Sequence, residues 1–398
     1  MNSKKILDLK QQLELGNYRA LDDFWKEIDE KGSPFIEDDN ETSLVTFIYK
    51  GCDETKDVSL SLPFEKDNYF DTKWTDYEFE RLLDTNVWYK TCDIKNDIRF
   101  TYYMSVNNSL RDDGEKNWVS DILNKNPLRM KNDDGKEFIL TYVSMPKTDK
   151  RIWIEEKKDI LKGSIDLHRF KSNRLNNERN IWIYTPVGYS RFNEPYNFLV
   201  LTDGQDYLDI STVSAKNVID NLIDTKKIPP LVVIFVESTK DRMTELMCSD
   251  DFAFFISEEI IPWVKENYNI ANNPEKNIIG GLSLGGLTAS FIGLNYSNIF
   301  GNVLSQSGSY WYKREDIDDI EKRNWIAKQF KAKEKLNLKF YLTVGILEGK
   351  RMYEMHQELK ETLMSKGYEV FYEEFKSGHD YLCWGETLAK GLIALIGH

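Results

Sequence analysis

Residues 277–286 read Asn277-Ile278-Ile279-Gly280-Gly281-Leu282-Ser283-Leu284-Gly285-Gly286. An apolar strand at 277–279 enters a glycine-flanked serine, and a helical pattern follows from Leu284 to Tyr296. This is the G-x-S-x-G pattern set between a strand and a helix. A turn that sharp has no room for side chains two residues to either side of the serine, so Gly281 and Gly285 must be small. It lifts the Ser283 hydroxyl above a sheet and puts the Leu284 N–H at a helix start, where it can stabilise an oxyanion. The competing reading, a packing turn with an inert serine, is disfavoured by the strand–turn–helix context.

Working outward, apolar runs recur at Ile181–Tyr184, Phe198–Leu201, Leu231–Phe235, Val303–Leu304, Phe340–Val344 and Val370–Tyr372. Helical patterns at Phe252–Tyr268, Met352–Lys366 and Glu386–Ile396 lie among them. Continuous apolar strands alternating with helices predict a largely parallel sheet covered on both faces. Upstream the pattern changes. Leu44–Tyr49, Val58–Leu62, Val87–Tyr89 and Ile98–Tyr103 are short strands between polar turns, which predicts a small β-sandwich. Residues 107–136, rich in Asn, Asp and Lys, read as long loops or a linker. Residues 4–30 read as two short helices. The expected division is a helical lead-in over 1–36, a β-sandwich over 37–150 and an α/β catalytic domain over 151–398.

A serine nucleophile needs a base, and the chain has only four histidines. His168 precedes the sheet, His356 lies inside a helical pattern and His398 ends the sequence. His379 follows the last strand on a loop, where the base belongs. A carboxylate is expected after the penultimate strand, and Glu348 stands there in Gly345-Ile346-Leu347-Glu348-Gly349. Asp380, next to His379, is the alternative acid, and a Ser–His dyad is the third arrangement. The loop after Phe198–Leu201 reads Thr202-Asp203-Gly204-Gln205; it suits a second oxyanion donor, the Gln205 N–H. Asp203 can hold that loop by bonds to backbone amides.

Composition narrows the partners. The net charge is −13, of which −9 falls in residues 1–150, so general nucleic-acid binding is excluded. No apolar run approaches 18 residues, and the start lacks the apolar core of a signal peptide. Cys52, Cys92, Cys248 and Cys383 form no CxxC pair, which argues against zinc sites and disulfide frameworks. A cytoplasmic protein with no metal or cofactor of its own is expected, and oligomeric state is left open.

Several stretches resemble the bacterial ferric enterobactin (enterochelin) esterase family, within the broader esterase D group. These are Phe24-Trp25 with Gly32-Ser33-Pro34-Phe35, Thr202–Gln205, and Arg242-Met243-Thr244-Glu245-Leu246 with Asp250-Asp251-Phe252. Leu304-Ser305-Gln306-Ser307-Gly308-Ser309-Tyr310-Trp311 and Gly378-His379-Asp380 with Cys383-Trp384 are the most specific. The resemblance covers about residues 20–398. It implies an α/β-hydrolase domain preceded by a small β-sandwich domain. It also implies hydrolysis of the ester bonds of a cyclic trilactone siderophore, releasing intracellular iron.

A ferric tris-catecholate is a trianion with aromatic faces, so cations beside aromatics should bind it. Arg242, Trp311 and Arg351 are the candidate substrate-binding residues, with Lys313, Arg314 and Lys350 as surface alternatives. The resemblance also points to Arg242; its competing role is a salt bridge to Glu245. A feruloyl or acetyl carbohydrate esterase, an acyltransferase, and a non-catalytic siderophore-binding protein are the other functions these residues allow.

Overall fold

The computed structural model describes residues 3–39, 41–64, 74–110, 116–131, 136–313 and 324–397. The chain forms two compact units: Met1–Lys150 with Lys376–Gly378, and Arg151–Phe375 with His379–His398.

In the first unit, α1 (Lys4–Glu14) and α2 (Arg19–Lys31) are amphipathic. The Ser3 hydroxyl caps α1 by accepting the Ile6 N–H at 3.4 Å. Strands β1 (Phe35–Asp39), β2 (Thr42–Lys50), β3 (Val58–Leu62), β4 (Thr75–Glu78), β5 (Glu80–Arg81), β6 (Val87–Lys95), β7 (Arg99–Val106), β8 (Pro127–Lys131) and β9 (Glu137–Ser144) follow. They form two antiparallel sheets, ordered β1-β2-β6-β5 and β4-β3-β7-β9-β8. Ile6, Leu9 and Leu13 of α1 share a core cluster with Phe24, Trp25 and Ile28 of α2 and with Ile48, Val87 and Tyr89 of the sheet. The helices expected as a separate lead-in are thus part of this unit's core, because their apolar faces need the sheet to cover them. A second correction concerns 107–136. This stretch contains β8, which opens with a proline and, among the described residues, pairs only with β9 at a sheet edge. Its strand state is set by its partner rather than by its own polar sequence.

The second unit contains β10 (Ser164–Ser172), β11 (Asn177–Thr185), β12 (Asn197–Leu201), β13 (Leu231–Val236), β14 (Ile278–Leu282), β15 (Asn302–Gln306), β16 (Lys339–Gly345) and β17 (Glu369–Phe375). Its sheet runs β10-β11-β13-β12-β14-β15-β16-β17. The strands from β13 to β17 in that order are parallel, while β10 and β11 enter antiparallel. Strand β10, half-exposed and charged, escaped the sequence reading.

Among the described residues this unit has nine α-helices: α3 (Gly204–Leu208), α4 (Ala215–Asp224), α5 (Arg242–Leu246), α6 (Asp250–Phe254), α7 (Ile261–Asn267), α8 (Leu284–Asn295), α9 (Trp325–Ala332), α10 (Lys350–Ser365) and α11 (Tyr381–Ile396). A π turn at Phe255–Ile260 joins α6 to α7 inside the helix expected over 252–268. One core cluster gathers Phe252, Val264, Leu287, Phe330 and Leu359 on one face of the sheet. Another gathers Tyr207, Val218, Leu222, Leu388 and Leu392 on the other. Burial on both faces explains why β13 and β14 are apolar throughout rather than alternating, while β15, equally buried, carries the polar Asn302, Ser305 and Gln306. Strand order reverses at β12, whose neighbours are β13 and β14, and in open α/β sheets ligands bind beyond the carboxyl ends of the strands at such a switch point. Among the described residues, no helix is long and apolar enough to cross a membrane.

Candidate active site

At the end of β14, Ser283 has φ +56° and ψ −120°, a conformation that a non-glycine residue adopts only under constraint. The Ser283 N–H donates to the Gln306 carbonyl at 2.8 Å, and the Ser283 carbonyl accepts the Ser309 N–H at 3.0 Å. A Cβ on Gly281 would lie 2.6 Å from the Thr202 hydroxyl, and one on Gly285 would overlap the same hydroxyl. The smallness required by the turn is therefore real. Leu284 is the first residue of α8, so its N–H belongs to the unpaired first turn.

The neighbouring loop, after β12, carries Gln205 in the first turn of α3. Gly204 is forced there, since a Cβ would lie 2.7 Å from the Phe235 carbonyl carbon and the Val236 nitrogen. The Gln205 side chain accepts the Ser238 N–H at 3.0 Å. Asp203 is fully buried with φ +54°. Its carboxylate accepts both nitrogens of an Arg242 fork, Nε at 2.6 Å and Nη2 at 2.8 Å, and the Ser238 hydroxyl at 2.5 Å. Two sequence expectations change here. Asp203 is held by side chains from β13's exit and α5, not by backbone amides. Glu245 does not pair with Arg242; it lies on the buried side of α5 and meets Arg179 at 2.5 Å and 3.0 Å. Arginine 179 is itself fully buried.

The candidate base and acid come from the loops after β17 and β16. His379 Nε2 lies 2.9 Å from Ser283 Oγ, and His379 Nδ1 lies 2.8 Å from Glu348 Oε2. Serine, histidine and glutamate thus form one hydrogen-bonded chain across three separate loops. Oxygen Oε1 of Glu348 accepts the Ser307 hydroxyl and the Gly345 N–H, each at 2.6 Å. The His379 ring is 39% exposed, whereas the Glu348 side chain is fully buried. Desolvation disfavours the imidazolium, but the charge and hydrogen bond of Glu348 outweigh it and raise the His379 pKa above the usual imidazole value. Burial likewise opposes the charge on Glu348, yet His379 and Ser307 hold its pKa below the usual carboxylate value. Asp380, the alternative acid, caps α11 by accepting the Leu382 N–H at 3.0 Å. His356 is buried, donates from Nδ1 to the Met352 carbonyl at 2.8 Å and is pushed by burial down to about 4.

Of the candidate substrate contacts, Trp311 and Arg351 come together: the guanidinium lies 5.8 Å from the indole centroid. Arg351 and Lys350 occupy the first turn of α10, where cations oppose the helix dipole. Lys313 is half-buried, and Arg314 lies outside the described residues. Sequence reasoning missed Asp203 as the partner of Arg242, and it missed Ser307. Ser307 has φ +51°, and only its place after β15 could have drawn notice.

Strand order, the turn at Ser283 and the loops that meet it define the second unit as an α/β-hydrolase. The protein family described as "Putative esterase" matches residues 172–395. An iron(III) enterobactin esterase of Dickeya dadantii is 24% identical over 404 residues, which are 94% of this chain and 92% of that protein. An iron(III) enterobactin esterase of Escherichia coli K12 is 32% identical over 230 residues, 57% of this chain and 56% of that protein. The enterobactin esterase of Shigella flexneri, crystallised in the presence of enterobactin, superposes with a TM-score of 0.75 at 25% identity, covering 94% of this chain and 97% of that one. This chain belongs to that esterase family.

Proposed function

We propose that this protein is a serine esterase that cleaves the ester bonds of a catecholate trilactone siderophore. The observation that carries the chemistry is the Ser283–His379–Glu348 chain at the turn after β14. The substrate class is taken from the relatives, whose names give enterobactin as the compound they act on.

In this reading, Ser283 Oγ attacks the ester carbonyl as its proton passes to His379 Nε2. Glu348 fixes the tautomer that leaves Nε2 free to accept that proton, and it stabilises the imidazolium. The developing oxyanion sits on the Leu284 and Gln205 N–H groups. His379 then returns the proton to the leaving alkoxide, an acyl-enzyme remains on Ser283, and water resolves it by the same route. Trp311 and Arg351 are proposed to receive a catecholate ring by stacking and charge. Arg242, with two nitrogens engaged by Asp203, serves first to hold the oxyanion loop and offers only Nη1 to a substrate. Iron enters as part of the substrate. The setting proposed is the cytoplasm; the four free cysteines fit a reducing compartment, and cell fractionation tests it.

The deciding experiment incubates the purified protein with ferric and iron-free trilactone siderophores, feruloyl esters and small aryl esters, with products identified by mass. Linear catecholoyl-serine fragments that disappear with Ser283→Ala are the expected result. Cleavage of feruloyl esters with no action on the trilactones would replace the substrate class, and no turnover of any ester would end the hydrolytic reading.

A further inference from the structure

The end of β15 and the start of α11 hold buried polar side chains that the hydrolytic steps above do not use. Trp384 Nε1–H donates to Ser307 Oγ at 2.9 Å, and the Ser307 hydroxyl donates to Glu348 Oε1 at 2.6 Å. The direction is fixed by chemistry. An indole N–H can only donate and a carboxylate can only accept, so the one Ser307 proton goes to Glu348. Trp384 also stands edge-on to the His379 ring, with centroids 5.2 Å apart and planes at 90°. One buried side chain therefore touches the base through its ring and reaches the acid through its N–H.

Both residues are themselves held from several directions. The Ser307 N–H donates to the Thr343 carbonyl at 2.8 Å. The preceding residue, Gln306, donates from Nε2 to the Trp384 carbonyl and to the Thr387 hydroxyl, each at 2.6 Å. Its Oε1 accepts the Tyr207 hydroxyl of α3 at 2.7 Å. Gln306 and Ser307, consecutive in the chain, thus reach the oxyanion-side helix, the base-side helix and the acid.

We propose that Ser307 and Trp384 are positioning residues of the Ser283–His379–Glu348 site, a role that rests on the hydrolytic reading above. A buried carboxylate must have both oxygens satisfied. Ser307 and Gly345 saturate Oε1, which leaves Oε2 directed at His379 Nδ1. Removing the Ser307 donor makes the carboxylate more basic and freer to turn. It then holds the imidazolium proton more tightly and orients the ring less well.

The test uses the full chain with Ser307→Ala, Trp384→Phe and the double variant, beside wild type and Ser283→Ala. Turnover is measured on a small neutral aryl ester, and the His379 imidazole is titrated by NMR, its resonance assigned with His379→Gln. Ser307→Ala should lower kcat roughly 10- to 100-fold, the effect of losing one charge-assisted hydrogen bond. KM should stay unchanged, and the imidazole midpoint should move to higher pH. Trp384→Phe keeps a ring against His379 and should act in the same direction more weakly. The double variant should be no worse than Ser307→Ala, since the chain is already cut there. Wild-type kcat and midpoint in a folded Ser307→Ala protein, or fully additive losses in the double variant, would overturn the role. If Ser307→Ala does not fold, Trp384→Phe carries the same two readouts. The titration needs no turnover. A midpoint that moves in a protein without esterase activity keeps the positioning and defeats the hydrolytic reading; turnover with an unmoved midpoint does the reverse.

Discussion

The loops after β12 and β14 leave paired strands at the same end of the sheet and carry the two amides assigned to the oxyanion, Gln205 and Leu284. They reach that position differently. In the loop after β14, Ser283 at φ +56° is accommodated because Gly281 and Gly285 present no side chains to each other or to the neighbouring Thr202. The loop after β12 places Asp203 at φ +54° and secures it with Ser238 and Arg242, 35 and 39 residues further along the chain. One strained turn is stabilised by deleting atoms, the other by tying down a buried charge. The first device is visible in seven consecutive residues; the second needs two segments, 35 or more residues apart, to meet.

This contrast can be broken from either side. The largest effect is expected at the proposed nucleophile. Ser283→Ala should keep its thermal midpoint and lose hydrolysis by roughly 10⁴-fold or more, as for other nucleophile knockouts in residues that act together. His379→Ala should match it, and activity of either variant within tenfold of wild type would remove both from the chemistry.

Glu348→Gln should fall less far than Ser283→Ala, because the acid orients and polarises rather than reacting. Its signature is in the pH–rate profile. Activity needs neutral His379, whose pKa is raised by Glu348, so the wild-type rate should fall as pH drops through a midpoint above the free imidazole value of about 6.5. Without that charge, the acidic limb should move to lower pH. An unmoved limb would show that Glu348 does not set the histidine's protonation.

Next comes the loop held from outside. Arg242→Ala leaves the Asp203 carboxylate buried without its fork. A loss of about 1.5 kcal/mol is expected, the lower end for hydrogen bonds to a charged group, since Arg242 is 28% exposed and water replaces part of the contact. Activity should drop on a neutral aryl ester and on a ferric trilactone alike, and Arg242→Lys should not restore it, because an ammonium cannot supply two parallel donors. A fall confined to the anionic substrate would mean that Arg242 acts on the ligand instead.

The smallest effect should come from the glycine turn after β14, and it should be repairable. Gly285→Ala should destabilise by about 1 kcal/mol, the lower end for overpacking, because the added Cβ overlaps a single atom, the Thr202 hydroxyl. Adding Thr202→Ala removes that hydroxyl and should recover most of the thermal midpoint. Failure to recover would place the strain in the backbone rather than in the side-chain clash.

The parts of this protein that were legible in the sequence are those built from short-range patterns. Apolar strands alternating with helices identified the covered sheet, and the short strand expected at Val58–Leu62 matched β3 in its bounds. Strand–Gly-x-Ser-x-Gly–helix located Ser283, and the scarcity of histidine together with chain order singled out His379 and Glu348. Strands β8 and β10 were illegible because an edge strand's polar residues do not show its pairing.

What only the tertiary structure decided is how charged and polar side chains pair across the chain. Arg242 and Glu245 are three residues apart and looked like partners, yet α5 directs one to Asp203 and the other to Arg179. The Trp384–Ser307–Glu348 chain spans 77 and then 41 residues of separation. Backbone pattern is written in neighbours, because strand and helix periods repeat every two to four residues. A buried polar contact is decided by which loops the sheet brings side by side, and no local period records it.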